Sequence, residues 1–289
     1  MDIIFSDEPE VCINGLVQKG LPKEERYKIM MEQVSEVNLK STRQKVEELI
    51  NNSHINMNDF KQEIENLIDN VIFVNNGTMK TGTFSPFETI IKKNTILYRV
   101  VSNELFKWAP PTYLTRVGRM NKIEESCFYL SFNPNTCLSE IGISKSDVVH
   151  YMSIYRVKQD IQTTLSYGSQ FQSKVYSERD KIIGKGLVTF FNMILGWRSS
   201  DNLYTNEKNY YMSNYLKITL LQSKKINLGI IYPSVKMNSK SKSISSRDGT
   251  SLNGFDNVAF YMTNQELYFE RIKCQKINNF FDQKNLYLS

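Results

Sequence analysis

Ile96-Leu97-Tyr98-Arg99-Val100 opens the stretch around which the chain is organised, and Glu140 closes it. Between them stand Trp108 and Pro110-Pro111, then Gly118-Arg119-Met120-Asn121, Phe128-Tyr129-Leu130-Ser131, and Asn133-Pro134-Asn135-Thr136-Cys137-Leu138-Ser139-Glu140. The β-prone run 95–101 predicts a core strand, in which alternation sends Tyr98 and Arg99 to opposite faces. A second short strand is expected over 127–132. Asn133-Pro134 then starts a helix whose i, i+3 and i+4 spacing brings Thr136, Cys137 and Glu140 onto one face.

Upstream, apolar residues repeat at three and four from Lys23, through Tyr27, Met30, Met31, Val34 and Val37 to Val46, Leu49 and Ile50, which predicts helix up to Asn51-Asn52-Ser53. Another helix is expected from Asn58 as its cap, burying Phe60, Ile64, Leu67 and Ile68. Ser85-Pro86-Phe87-Glu88 reads as a further helix start, with serine as cap and proline in the first turn. The domain boundary is placed there, giving a helical extension over 1–84 and a second domain over 85–289. Downstream, 148–157 reads as a strand, 185–197 and 207–222 as helices, 228–232 as an apolar strand, and 257–262 and 266–272 as closing strands. Residues 236–254, rich in Ser, Lys, Asn and Gly, read as a mobile loop. Strands interleaved irregularly with helices give an α+β class.

With 289 residues, 40% hydrophobic and 23% charged, the composition is that of a globular chain with a sizeable core. No apolar run approaches the roughly 20 residues that cross a bilayer, and the acidic start at Asp2, Asp7, Glu8 and Glu10 argues against export. Cys12, Cys127, Cys137 and Cys274 lie far apart without CxxC spacing, so they are expected as free thiols in a reducing cytoplasm. Two isolated histidines, His54 and His150, give no metal-ligand spacing. The net charge of +6 fits an anionic partner, either nucleic acid or a phosphate-bearing small ligand.

Arg99 and Arg119 are the anion-binding candidates, because guanidinium forks match phosphate oxygens in a bidentate way that lysine cannot. Gly118 lets the backbone turn sharply or approach a ligand, and Asn121 can orient a carbonyl or hydroxyl. Tyr98 and Tyr129 offer flat faces for an aromatic ring, with core packing as the competing reading. Glu140 is the candidate electrostatic or acid–base group. Ser234, beyond Gly229-Ile230-Ile231-Tyr232-Pro233, has no histidine nearby to activate it, so it is expected to position a ligand rather than attack one. No Rossmann, P-loop or nucleophile-elbow motif is present.

In this order, Tyr-Arg, Gly-Arg-x-Asn, Tyr129-Leu130-Ser131, the helical Glu140, then Ser234 and Asn257-Val258-Ala259-Phe260, the chain resembles the RES domain family over residues 90–272. The family is bacterial and named for an arginine, a glutamate and a serine, and it usually has tryptophan where this chain has Met120. The resemblance implies an ADP-ribosyltransferase-like fold and cleavage of NAD at its nicotinamide end, by hydrolysis or phosphorolysis, with NAD as substrate and no further cofactor. It implies Arg99, Glu140 and Ser234 as catalytic, with Tyr98, Arg99, Gly118, Arg119, Asn121, Tyr129 and Ser131 around the ligand. A growth-arresting toxin held by a helix-turn-helix antitoxin or another inhibitory protein, or a homodimer, is the implied setting. ADP-ribose transfer to a protein or nucleic acid, and a non-catalytic nucleotide- or nucleic-acid-binding module using the 236–247 basic loop, are the alternatives.

Overall fold

The structure, a computed structural model, describes residues 10–13, 16–19, 21–76, 79–82, 87–141, 149–165, 177–195, 203–222, 228–234 and 256–277. In chain order the elements are β1 (Glu10–Ile13), β2 (Leu16–Lys19), α1 (Lys23–Gln33), α2 (Glu36–Asn51), α3 (Met57–Ile72), β3 (Phe73–Asn76), β4 (Met79–Gly82), β5 (Phe87–Ile91) and β6 (Ile96–Val101). There follow β7 (Phe128–Ser131), α4 (Pro134–Ile141), β8 (Tyr151–Val157), β9 (Ile161–Leu165), α5 (Glu178–Leu195), α6 (Leu203–Gln222), β10 (Gly229–Pro233), β11 (Asp256–Phe260), α7 (Gln265–Tyr268) and β12 (Phe269–Lys276). The expected loop over 236–254 lies outside the described residues. No described helix is long and apolar enough to cross a membrane.

Two compact units result, one from Met1–Phe87 with Tyr167–Ser223, the other from Glu88–Ser166 with Lys224–Ser289. The helical unit therefore extends beyond 1–84. Its core takes Met30, Val46, Phe60, Ile64 and Ile68 from the first three helices and Ile183, Phe190, Ile194, Met212 and Leu216 from α5 and α6. Polar contacts secure the same packing. Tyr211 donates to Glu65, and Tyr215 to Asp69 at 2.8 Å, so one face of α6 is fastened to α3. The ammonium of Lys208, fully buried, donates to the carbonyls of Leu49 at 3.0 Å and Asn52 at 2.7 Å, closing the end of α2 where carbonyls lack partners. Burial pulls its pKa down.

Local expectations need four corrections here, the first being that of the expected closing strand 266–272 only the part from Phe269 is strand, Gln265–Tyr268 forming the short helix α7. The helical run from Lys23 breaks at Val34, and Ser35 caps the new helix by accepting from the Asn38 amide at 3.2 Å. Asn56, not Asn58, caps α3, accepting from the amides of Asn58 and Asp59, each at 3.0 Å. The Phe87-Glu88 start is a strand, since Thr89, Ile90 and Ile91 are β-branched and Ile91 is buried in the sheet while Ile90 is exposed.

The second unit makes the chain mixed α/β. Its eight strands run in the order β12-β8-β6-β7-β11-β10-β9-β5, with β10 parallel to β9 and antiparallel to β11. Register sorts the side chains. Tyr98 lies opposite both Ile154 and Ser131, Ser131 opposite Asn257, and Asn257 opposite Tyr232, so these residues share one face. Here α4 packs, with Cys137 and Leu138 against Val100, Met152 and Ile154. The other face carries an aromatic cluster in which Phe128 meets Tyr155 and Phe269 edge-on, at centroid distances of 5.2 and 5.4 Å.

Candidate functional site

Glu140 is placed by the seating of α4. Asn133 accepts from the Asn135 amide at 2.8 Å and starts the helix, and the Cys137 sulfur accepts from the Val100 amide at 3.1 Å. That bond matters because β6 and β7 pair only at Tyr98 and Ser131, so the Val100 amide takes its partner from α4. Burial pushes the Cys137 thiol up to about 12, so it stays a neutral acceptor. Cys127, Cys137 and Cys274 are all free thiols, while the Cys12 side chain lies outside the described residues.

At the far end of α4, Oε1 of Glu140 accepts from the Ser234 hydroxyl and from Nδ2 of Asn257 at 3.1 Å. The Ser131 hydroxyl donates to Oδ1 of the same asparagine. Ser131, Asn257 and Ser234 are buried, and Glu140 is half-buried. The Ser234 proton goes to the carboxylate, so this serine holds Glu140. Sheet register explains the grouping: Ser131, Asn257 and Tyr232 sit side by side on β7, β11 and β10, and Ser234 follows Pro233 at the strand end.

Arg119 stands in a tight turn closed by a Gly118 amide to Asn121 carbonyl bond of 3.0 Å. Two tyrosines pin the turn at Met120. The Tyr129 hydroxyl accepts from the Met120 amide at 2.8 Å and donates to Oδ1 of Asn121 at 2.7 Å, while the Tyr261 hydroxyl donates to the Met120 carbonyl at 2.8 Å. Met120 itself is fully buried and fills the space beneath. A Cβ at Gly118 would come within 2.4 Å of Oδ1 of Asn121, so glycine is required for the Tyr129 to Asn121 bond. Asn121 also donates to the carbonyls of Arg116 and Lys122, at 2.7 and 2.9 Å. Its side chain is thus spent on the turn, not on orienting a ligand.

Tyr232 lies opposite Asn257 in the sheet register. Burial drives its hydroxyl well above the usual phenol range, the charge of Glu140 pushes the same way, and Arg119 opposes. The phenol lies within electrostatic reach of both. Tyr129 and Tyr261 are likewise raised well above that range by burial, so all three present neutral hydroxyls.

Two expected ligand residues lie elsewhere. Tyr98 packs against the apolar cluster under α4. Arg99 points to the opposite face, where Nη1 donates to the Trp108 carbonyl at 2.6 Å and the guanidinium stacks 5.3 Å over the Phe128 ring. Burial lowers its pKa, with Tyr155 acting against that. The structure therefore gathers Ser131, Glu140 and Ser234 around Asn257, holds Arg119 in the turn that Tyr129 pins, and leaves Tyr98 and Arg99 in structural contacts. Missing from the sequence reading were Asn257, Tyr232 and Tyr261 as parts of the site. Tyr232 had a signal, since it stands two residues before Ser234 in an extended run, where residues two apart share one face.

Compared with protein-family models, curated proteins and solved structures, the chain matches none. Among the described residues no three His, Cys, Asp or Glu side chains converge as a metal site. Chemically, the cluster offers a carboxylate fixed by two donors, and the pinned turn offers an arginine. Such a pair suits a ligand with an anionic arm and a centre that gains positive charge.

Proposed function

We propose that this unit, on an ADP-ribosyltransferase-like fold of RES type, binds NAD and cleaves the bond between nicotinamide and ribose. The observation that carries the reading is the two-donor seat of Glu140, made by Ser234 and Asn257. As the glycosidic C–N bond breaks, its electron pair goes to the nicotinamide nitrogen, which leaves neutral and needs no strong acid. The ribose C1′ becomes oxocarbenium-like, and a preset carboxylate stabilises that charge without reorganising. Water or phosphate then adds to C1′ and releases its proton. Arg119 supplies the guanidinium fork for the pyrophosphate. A toxin that depletes NAD, restrained by a helix-turn-helix antitoxin, is the setting this activity fits.

The test is chromatography of NAD incubated with the purified chain, with and without phosphate and with candidate protein or RNA acceptors. Nicotinamide with free ADP-ribose is the expected hydrolytic outcome, and a phosphorylated ADP-ribose the phosphorolytic one. Label on a macromolecule would replace both by ADP-ribose transfer. Intact NAD throughout would overturn the enzymatic reading in favour of a binding module.

A further inference from the structure

We infer that Asn257, backed by Ser131, is a positioning residue that sets the direction of the Glu140 carboxylate; its kinetic consequence rests on the NAD-cleaving reading. Strand β11 is buried at every position from Asp256 to Phe260, and an asparagine there is costly unless both ends of its amide are satisfied. Both ends are. Nδ2 donates to Oε1 of Glu140 at 3.1 Å, and Oδ1 accepts from the Ser131 hydroxyl.

The amide has one sensible orientation. Against a carboxylate only the NH2 end is attractive, so Glu140 dictates that Nδ2 faces it. The hydroxyl of Ser131, able to donate or accept, then gives its proton to Oδ1. Ser131 and Asn257 are direct partners across β7 and β11, which fixes their separation by the sheet backbone rather than by side-chain rotamers. Glu140 belongs to a helix of eight residues, and the sheet holds its carboxylate through Asn257 on β11 and Ser234 just past the end of β10. With Ser131 and Asn257 each about 3% exposed, solvent is poorly placed to replace a lost donor.

The discriminating variant is Asn257→Asp, which keeps shape and removes the donor facing Glu140. Two carboxylates at this distance resist joint ionisation. At neutral pH and above they repel, and kcat for NAD cleavage is expected to fall about a hundredfold, with KM changed less than about threefold. As pH falls, a proton on the introduced carboxylate restores a donor towards Glu140, so kcat of the variant should recover on acidification over a range where wild type does not gain. Ser131→Ala, which removes only the backing, should lose about tenfold in kcat at unchanged KM. It carries the test should Asn257→Asp fail to fold.

A substrate-free readout keeps this inference separate from the NAD reading. In protein labelled with carboxyl-13C glutamate, the Glu140 resonance, assigned by its absence in Glu140→Gln, should move from its wild-type position in Asn257→Asp at neutral pH, because the donor at Oε1 is gone. That shift would support the cradle even if wild type left NAD intact. An unmoved Glu140 resonance, or a folded Asn257→Asp with wild-type kcat and pH profile, would overturn it, as would a loss confined to KM.

Discussion

The guanidinium of Arg99 donates to the Trp108 carbonyl at 2.6 Å, which ties β6 to the long connection that carries Arg119 to β7. Nearby, Tyr155 donates to the carbonyl of Lys107, and the Ala109 amide to Oε1 of Gln265 at 2.8 Å, so the start of this connection is fastened from β6, β8 and α7. The two arginines that look alike in sequence thus have different work. Arg99→Lys is expected to cost about 1.5–3 kcal/mol of stability through loss of a charged hydrogen bond and its stacking. Arg119→Lys should leave stability nearly unchanged and weaken NAD binding by about 1–3 kcal/mol. Urea unfolding and calorimetric titration of both variants check the split; equal effects on both measurements from both variants would contradict it.

The Gly118 turn is a second point of leverage. Gly118→Ala places a methyl group within 2.4 Å of the Asn121 side-chain oxygen, and Tyr129→Phe removes both bonds of the Tyr129 hydroxyl. Each variant should lose about 1–3 kcal/mol of stability and weaken NAD binding, because each frees the turn that aims Arg119. A folded Tyr129→Phe that binds NAD as wild type does would show that the turn needs no pin.

Stability should also fall on the alkaline side. Burial raises Cys137 to about 12 and lifts Tyr129, Tyr232 and Tyr261 well above their usual range. The unfolded chain releases these protons near the ordinary values, about 8.5 for cysteine and 10 for tyrosine, while the folded chain keeps them. Their contribution is intact below about pH 8.5 and is lost as pH climbs through the raised values. Urea midpoints measured from about pH 8 to 11 should therefore decline, first through Cys137 and then through the tyrosines. Cys137→Ala should flatten the early part of that decline, and a midpoint that does not move with pH would count against the neutral buried site.

How far the fold can be read from sequence differs by element. The strands β6, β7, β10 and β11 and the start of α4 were legible, because each is a short apolar or β-branched run bounded by turn residues. Alternation also put Tyr98 and Arg99 on opposite faces. Which face α4 would cover depends on Cys137 meeting the Val100 amide, a contact that no local pattern encodes. For the same reason α5 and α6 read as part of the second domain. The attachment of α6 to α2 and α3 runs through Lys208, Tyr211 and Tyr215, each about 150 residues from its partner. Ser85-Pro86-Phe87-Glu88 has helix-start chemistry, yet sheet pairing prevailed from Phe87, as tertiary context commonly overrides a weak local preference. Asn257 stood in the sequence as one polar residue in an apolar strand, and only register against Ser131 gave it a neighbour.

The central claim is that Glu140, seated by Ser234 and Asn257, stabilises the charge that develops as nicotinamide leaves. Its most direct test is the rate of nicotinamide release from NAD by wild type and by Glu140→Gln, which keeps the side chain's size and removes its charge. Loss of an electrostatic stabiliser aimed at a transition state costs about a hundred- to a thousandfold, and a fall of that order in kcat, with NAD still bound, is the predicted result. Glu140→Gln releasing nicotinamide at the wild-type rate would contradict the account.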